Sequence, residues 1–196
     1  LIHSLAQASA SGLDDANIST ALEAAWPALG IDSIWLAEQE KQRAVDAITN
    51  YAVWDAKESA TFATAGLEVG VDHIFTVDDL ADFGITTEDI ASVDATTVPV
   101  RVKGRIDRLE RTDAGQYVIV DFKTGKTVPS KKDTQDNAQL ALYQLALSGS
   151  DKDTTPVVKA KLVYLRPRSG SLGERDQQAL DADERKRWRL ALQTAA

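Results

Sequence analysis

The sequence predicts an α/β protein, a mixed central β-sheet with helices packed on it. Three observations lead there. Helical periodicity fills roughly the first 60 residues, three strand-like segments follow up to Phe122, and the remainder alternates helix, strand and helix. The 196 residues fit one domain (1–196), and a chain of this length buries roughly 70% of its unfolded surface without a covalent staple. A composition of 43% apolar and 27% charged residues is that of a globular domain and excludes a disordered or fibrous chain. The absence of cysteine excludes disulfides, zinc–thiolate sites and iron–sulfur clusters within this sequence. No apolar run reaches the ~18 residues that a membrane-spanning helix needs. The chain opens at Leu1 without methionine, inside a helical pattern, and is expected to be a fragment of a longer polypeptide.

Element by element, Leu1–Ala10 reads as the end of a helix, and Ile18–Leu29 as a second one capped by Asn17 or Ser19. Ser33 to about Thr61 is a long helix whose apolar stripe runs through Val45, Ile48, Ala52 and Asp55. Leu67–Val77 alternates like a strand. Residues 78–97 carry six acids and short apolar groups, which predicts an acidic insertion holding a short helix. Val98–Leu109 and Gln116–Phe122 form a hairpin, and Thr124–Lys132, with Gly125 and Pro129, a loop. A helix over Asp133–Leu147, a strand over Val157–Leu165 and a helix over Asp181–Thr194 complete the chain, residues 167–196 being a helical tail. Trp26, Trp35, Trp54 and Trp188 read as core or helix-packing residues, and His73 as a surface residue.

Net charge is −8 overall, which argues against a general nucleic-acid-binding coat. The charge is unevenly placed. Between Arg101 and Lys132 nine basic residues meet four acids, while the remainder holds 13 basic and 26 acidic residues. On charge alone, that basic stretch is a pair of solvated strands and a polar loop.

Hairpin geometry gives it a sharper meaning. If Asp113-Ala114-Gly115 is a three-residue turn with Gly115 in the left-handed conformation, Thr112 faces Gln116 and Asp107 falls opposite Asp121. Their Cβ atoms are then roughly 4.5–5.5 Å apart on one face. Lys123, two residues on, shares that face, and Phe122 points to the other. Facing carboxylates repel unless something positive lies between them, and a divalent cation with oxygen ligands suits the place. A structural ion pair between Asp107 and Lys123 is the plain alternative. The same register sets Arg105 opposite Lys123, a like-charge pair that calls for a bulge or a bound phosphate.

Short motifs elsewhere are decoys. Asp55-Ala56-Lys57 and Glu184-Arg185-Lys186 repeat the acid-x-Lys spacing, but in helical stretches, where residues two apart face different directions. Gly125-Lys126-Thr127 imitates the tail of a P-loop, yet Val120 stands where the first glycine belongs and Pro129 interrupts a following helix.

Three segments in order are distinctive: Gly104-Arg105-Ile106-Asp107, then Asp121-Phe122-Lys123-Thr124-Gly125, then Gln139-Leu140-Ala141-Leu142-Tyr143. Together they resemble the RecB-type branch of the PD-(D/E)XK nuclease superfamily, in which a G-x-x-D strand, a D-[YF]-K-T-G strand and a Q-x-x-x-Y helix follow at about this spacing. The resemblance spans roughly residues 1–165. It implies a restriction-endonuclease-like core in the order α-β-β-β-α-β and a Mg²⁺- or Mn²⁺-dependent deoxyribonuclease. Asp107 and Asp121 would ligate the metal with the Phe122 backbone carbonyl, and Lys123 would serve the attacking water and scissile phosphate. Gln139 and Tyr143 would support the site. Leu1-Ile2-His3 matches the upstream histidine ligand of the family, and Glu68 is the reserve acidic ligand. Arg105, Arg108, Lys126, Lys131 and Lys132 are the expected DNA contacts. Some relatives carry a cysteine-ligated iron–sulfur cluster, which this sequence cannot hold.

The resemblance further implies a place in a cytoplasmic, bacterial helicase–nuclease of the RecB, AddAB or AdnAB kind, acting in double-strand break processing and recombinational repair. DNA would be threaded as a single strand from a helicase domain of the same chain, with a second helicase–nuclease subunit as a further partner and no membrane. Two other classes stand beside it: a catalytically inactive nuclease-like module that guides DNA or assists assembly, and a metal hydrolase acting on another substrate.

Overall fold

The computed structural model describes residue 12 and residues 15–29, 34–93, 98–149, 155–166 and 172–195. The expected helix over Leu1–Ala10, and His3 with it, lie outside the described residues. Helix α1 (Asp15–Ala25) runs into a 3₁₀ turn (Trp26–Leu29) and is followed by the 25-residue helix α2 (Ile34–Glu58). Strand β1 (Ala63–Phe75) leads through a 3₁₀ turn (Asp78–Phe83) and helix α3 (Thr87–Ser92) to β2 (Val100–Arg111) and β3 (Tyr117–Lys123). Two short helices, α4 (Lys131–Gln135) and α5 (Ala138–Ser148), precede β4 (Val157–Tyr164), β5 (Gly173–Gln178) and α6 (Ala182–Thr194). The order α-β-β-β-α-β is therefore present, extended by β5 and α6.

The five strands form one mixed sheet in the order β1-β2-β3-β4-β5. Only β3 and β4 run parallel, and the chain crosses between them through α4 and α5. The hairpin register is the one that the turn dictates: Gly115 has φ 80°, and Arg108, Leu109, Glu110 and Arg111 pair with Val120, Ile119, Val118 and Tyr117. The ladder stops at Arg108–Val120, one rung short of Asp107 and Asp121.

The period-two alternation of β3 sorts the core into two layers. Val118, Val120 and Phe122 pack with Ala47, Tyr51 and Trp54 of α2. Tyr117 and Ile119 look the other way, into a core shared with Leu140, Tyr143, Leu145 and Ala146 of α5. On β2 the alternation slips. Ile106 and Leu109, three residues apart, both join the α5-side core, while Arg108 turns toward α2.

Several boundaries differ from expectation. Helix α1 begins at Asp15, so Asn17 and Ser19 lie inside it. On α2 the buried residues are Ala44, Ala47, Tyr51, Trp54 and Glu58, because the aromatic pair fills the sheet-facing space; Ile48 packs instead against Ile18, Leu22 and Ala44. Trp54 is buried, whereas Trp35 is 69% exposed and is no core residue. His73, expected at the surface, is half-buried with its ring 4.4 Å from that of Phe75. The helix expected over Asp133–Leu147 is two helices, because Ser130 caps α4 while Asn137 caps α5 by accepting the Leu140 N–H at 3.0 Å. The tail over 167–196 is not purely helical. It contributes β5, whose polar Glu-Arg-Asp-Gln-Gln run disguises a sheet-edge strand with one wet face. The acidic insertion is anchored by Arg189 of α6, fully buried, which binds Asp79 and the Thr76 carbonyl.

Candidate active site

Phe122 decides where its neighbours point. Its ring stands edge-on to Tyr51 and Trp54 of α2, with centroids 5.3 and 5.1 Å away. Asp121 and Lys123, one residue to either side, are thereby turned to the α5 side of the sheet. There Gln139, in the first turn of α5, completes a closed triangle. Lys123 Nζ lies 2.6 Å from Asp121 Oδ2 and donates to Gln139 Oε1 at 2.7 Å, and Gln139 Nε2 donates to Asp121 Oδ1 at 2.7 Å. Asp121 is buried, so its charge depends on these partners, whereas Lys123 keeps about a third of its side chain in solvent.

Asp107 arrives from β2. Its Oδ2 accepts the Phe122 N–H at 2.7 Å, a side chain standing where the next main-chain rung would be. The side-chain alternation slips between Ile106 and Leu109, although the register with β1 stays continuous across Asp107 and shifts only between Thr64 and Gly66. On β1 the pairs Leu67–Arg108 and Val69–Ile106 bracket Glu68 and Asp107 as one further rung. Glu68 has φ 50°, which for a residue with a Cβ costs on the order of 1–2 kcal/mol, and its Oε2 lies 3.4 Å from Arg105.

Tyr143, one helical turn beyond Gln139, donates its hydroxyl to the Arg105 carbonyl at 2.7 Å and receives Gln139 Nε2 at 3.3 Å. Its ring lies directly on Gly104, where a Cβ would come 2.7 Å from Tyr143 Cε1. The glycine at the head of the G-x-x-D segment thus makes room for the tyrosine that ends the Q-x-x-x-Y segment.

The structure brings Asp121, Lys123, Gln139 and Tyr143 together and sets Asp107 beside them through the Phe122 amide. It does not bring Arg105 opposite Lys123. The strands have parted by then, and Arg105 stays exposed beside Glu68. Lys126, Lys131 and Lys132 are exposed, the last two on α4 rather than in a loop. Arg108 must be withdrawn as a DNA contact. It is 1% exposed on the opposite side of the sheet, paired with Asp55 and Glu110 and stacked over Trp54 at 5.1 Å. Burial beside it pushes the Glu110 carboxyl up to about 7, against the pull of the arginine. Tyr164 was missed from sequence. It pairs with Lys123 across the parallel ladder, and burial raises its phenol while the lysine opposes the shift. An aromatic residue at the end of an apolar strand carries no signal for that position.

Among the described residues no three His, Cys, Asp or Glu side chains are grouped as a metal cage. The carboxylates of Asp107, on the Phe122 amide, and of Asp121, the residue before it, are nevertheless hard oxygen donors of the kind that Mg²⁺ and Mn²⁺ take, so their chemistry fits such an ion.

No curated protein matches the chain significantly. A solved structure described as "Crystal structure of SSO0001" resembles it at 17% identity, covering 99% of this chain and 82% of that one with a TM-score of 0.44. The sequence profile of the PD-(D/E)XK nuclease superfamily matches residues 1–196, and to that superfamily the chain belongs.

Proposed function

We propose that this domain is a Mg²⁺- or Mn²⁺-dependent deoxyribonuclease that hydrolyses DNA phosphodiester bonds at Asp107, Asp121 and Lys123. Membership of the superfamily implies nuclease chemistry. The observation that carries the specific assignment is the Asp121–Lys123–Gln139 triangle with Asp107 fixed on the Phe122 amide. Asp107, Asp121 and the Phe122 carbonyl would hold the cation, with His3 or Glu68 as the further ligand. When bound, the cation supplies a water of lowered pKa and positive charge beside a phosphate oxygen.

The side chains do the rest. Lys123 orients the water and donates to the charge that builds on the phosphoryl oxygens. Gln139 keeps the ammonium aimed, and Tyr143 anchors Gln139 to β2. Exposed Lys126, Lys131, Lys132 and Arg105 attract the nucleic-acid backbone to one region of an otherwise acidic chain. The order of the three motifs supports a RecB-like helicase–nuclease setting in bacterial break repair, in which a threaded single strand reaches this site.

The reading is tested by incubating the purified chain with linear single-stranded, linear duplex and closed circular DNA, with Mg²⁺ and with EDTA. Metal-dependent loss of the linear single strand is expected. DNA left intact in all lanes overturns the reading.

A further inference from the structure

The break between α4 and α5 sits immediately before Gln139, and a residue of the sheet edge holds it. Gln177 of β5 is fully buried. Its Nε2 lies 3.3, 3.0 and 3.0 Å from the carbonyl oxygens of Thr134, Gln135 and Asn137, the turn where one helix ends and the next begins. Thr134 O also accepts the Asn137 N–H and Asn137 O the Ala141 N–H, and the two N–H groups of the Gln177 amide add a side-chain tie across the same turn. The amide is itself held: its Oε1 accepts from Gln144 Nε2 at 2.9 Å, while Gln144 Oε1 accepts the Leu180 N–H. Farther along β5, Arg175 donates to the Pro129 carbonyl at 2.8 Å, in the loop leaving Lys123. Strand β5 therefore braces the segment joining Lys123 to Gln139 at Pro129 and at the turn before Gln139.

We propose that Gln177 is a positioning residue for this site: by fixing the start of α5 it sets the Gln139 amide against Lys123 and Asp121. The proposal rests on the active-site reading above, and it adds a determinant from a strand outside the three motifs. Gln139 is two residues past Asn137, so a shift of that turn is passed on with little chain to absorb it. The structural alternative is that Gln177 only satisfies buried carbonyls and adds stability.

The test uses Gln177→Leu, which keeps the volume and removes the amide, and Gln144→Leu, which leaves the Gln177 amide but removes the donor that orients it. Both are assayed below their melting temperatures. The first readout is independent of cleavage: the ¹⁵N–¹H signals of the Gln139 side-chain amide. They should move in both variants and exchange with water about tenfold faster, the equivalent of one lost hydrogen bond. The second is kinetic. Turnover should fall by on the order of 10–100-fold with KM for DNA unchanged, as a misplaced transition-state contact requires. In a Gln139→Ala background the Gln177→Leu change should cost nothing further. Unmoved Gln139 signals, or full additivity with Gln139→Ala, overturn the proposal. A wild-type chain that does not cleave DNA defeats the nuclease reading instead, and the Gln139 signals still decide the positioning.

Discussion

The Asp107 carboxylate accepts the Phe122 backbone N–H at 2.7 Å, so a side chain continues the β2–β3 ladder after main-chain pairing has stopped at Arg108–Val120. One hydrogen bond thereby ties the carboxylate of one strand to the residue between Asp121 and Lys123 on the next. The site is built where the sheet opens, and the opening itself aims the acid.

Lys123 is the group whose loss should separate binding from chemistry. Lys123→Ala should retain Mn²⁺ binding within a few-fold and lower single-turnover cleavage by on the order of 10². Lys57→Ala, the same spacing transplanted to a helix, should leave the rate unchanged, since Lys57 is 74% exposed and its ion pair with Glu174 is long, at 3.5 Å. Isothermal titration with Mn²⁺ and rapid-quench kinetics read the two effects separately.

Gly104→Ala should disturb the site without touching a charged group. The added methyl meets Tyr143 at 2.7 Å and must displace a ring whose hydroxyl anchors Gln139. A stability loss of about 1–3 kcal/mol is expected from overpacking, together with a fall in turnover. Urea unfolding and cleavage rates measured on the same preparation check both. Unchanged values would mean that Tyr143 does not need the strand.

Behind the sheet, Glu110 predicts a pH dependence of stability. Its folded-state pKa is raised to about 7, chiefly by burial, from an ordinary 4.5. A raised pKa stabilises the fold while the native carboxyl stays protonated, so its contribution is full below about pH 4.5 and is lost as pH rises through 7. Relative to Glu110→Gln, the wild type should therefore lose on the order of 1–3 kcal/mol between pH 5 and 8. Urea midpoints of the two proteins across that range test the sign. A constant difference would mean that Arg108 keeps the carboxylate ionised throughout.

The further metal ligand is open to a direct contest. His3→Ala should weaken Mn²⁺ binding by about tenfold or more, while Glu68→Gln should matter less. Titration of Mn²⁺ into both variants decides between them, and a larger loss in Glu68→Gln would make the strained residue on β1 the ligand.

How much of this was legible in the sequence depends on where the determining force lay. The hairpin register followed from Gly115 and the pleat, both local, and the alternation of Asp121, Phe122 and Lys123 followed with it. Arg108 was misjudged because its burial depends on Asp55, Tyr51 and Trp54, more than 50 residues earlier. The strained Glu68 and the slipped alternation at Asp107 are tertiary adjustments that a period-two pattern conceals. Strand β5 escaped because its residues are polar, and they are polar because this edge strand hydrogen-bonds helices instead of filling a core. The Gln139–Lys123 contact joins residues 16 apart on different elements, and only the ordered motifs hinted at it.

The central claim, that Asp107 and Asp121 together support metal-dependent cleavage, is tested most directly by one measurement. Cleavage of end-labelled single-stranded DNA is followed under single-turnover conditions against Mg²⁺ concentration for the wild type, Asp107→Ala and Asp121→Ala, each shown to be folded by circular dichroism. The account predicts a saturable Mg²⁺ dependence in the wild type and a rate at least ~10³ lower in each variant, which more Mg²⁺ does not restore. Near-wild-type cleavage by either variant would contradict it.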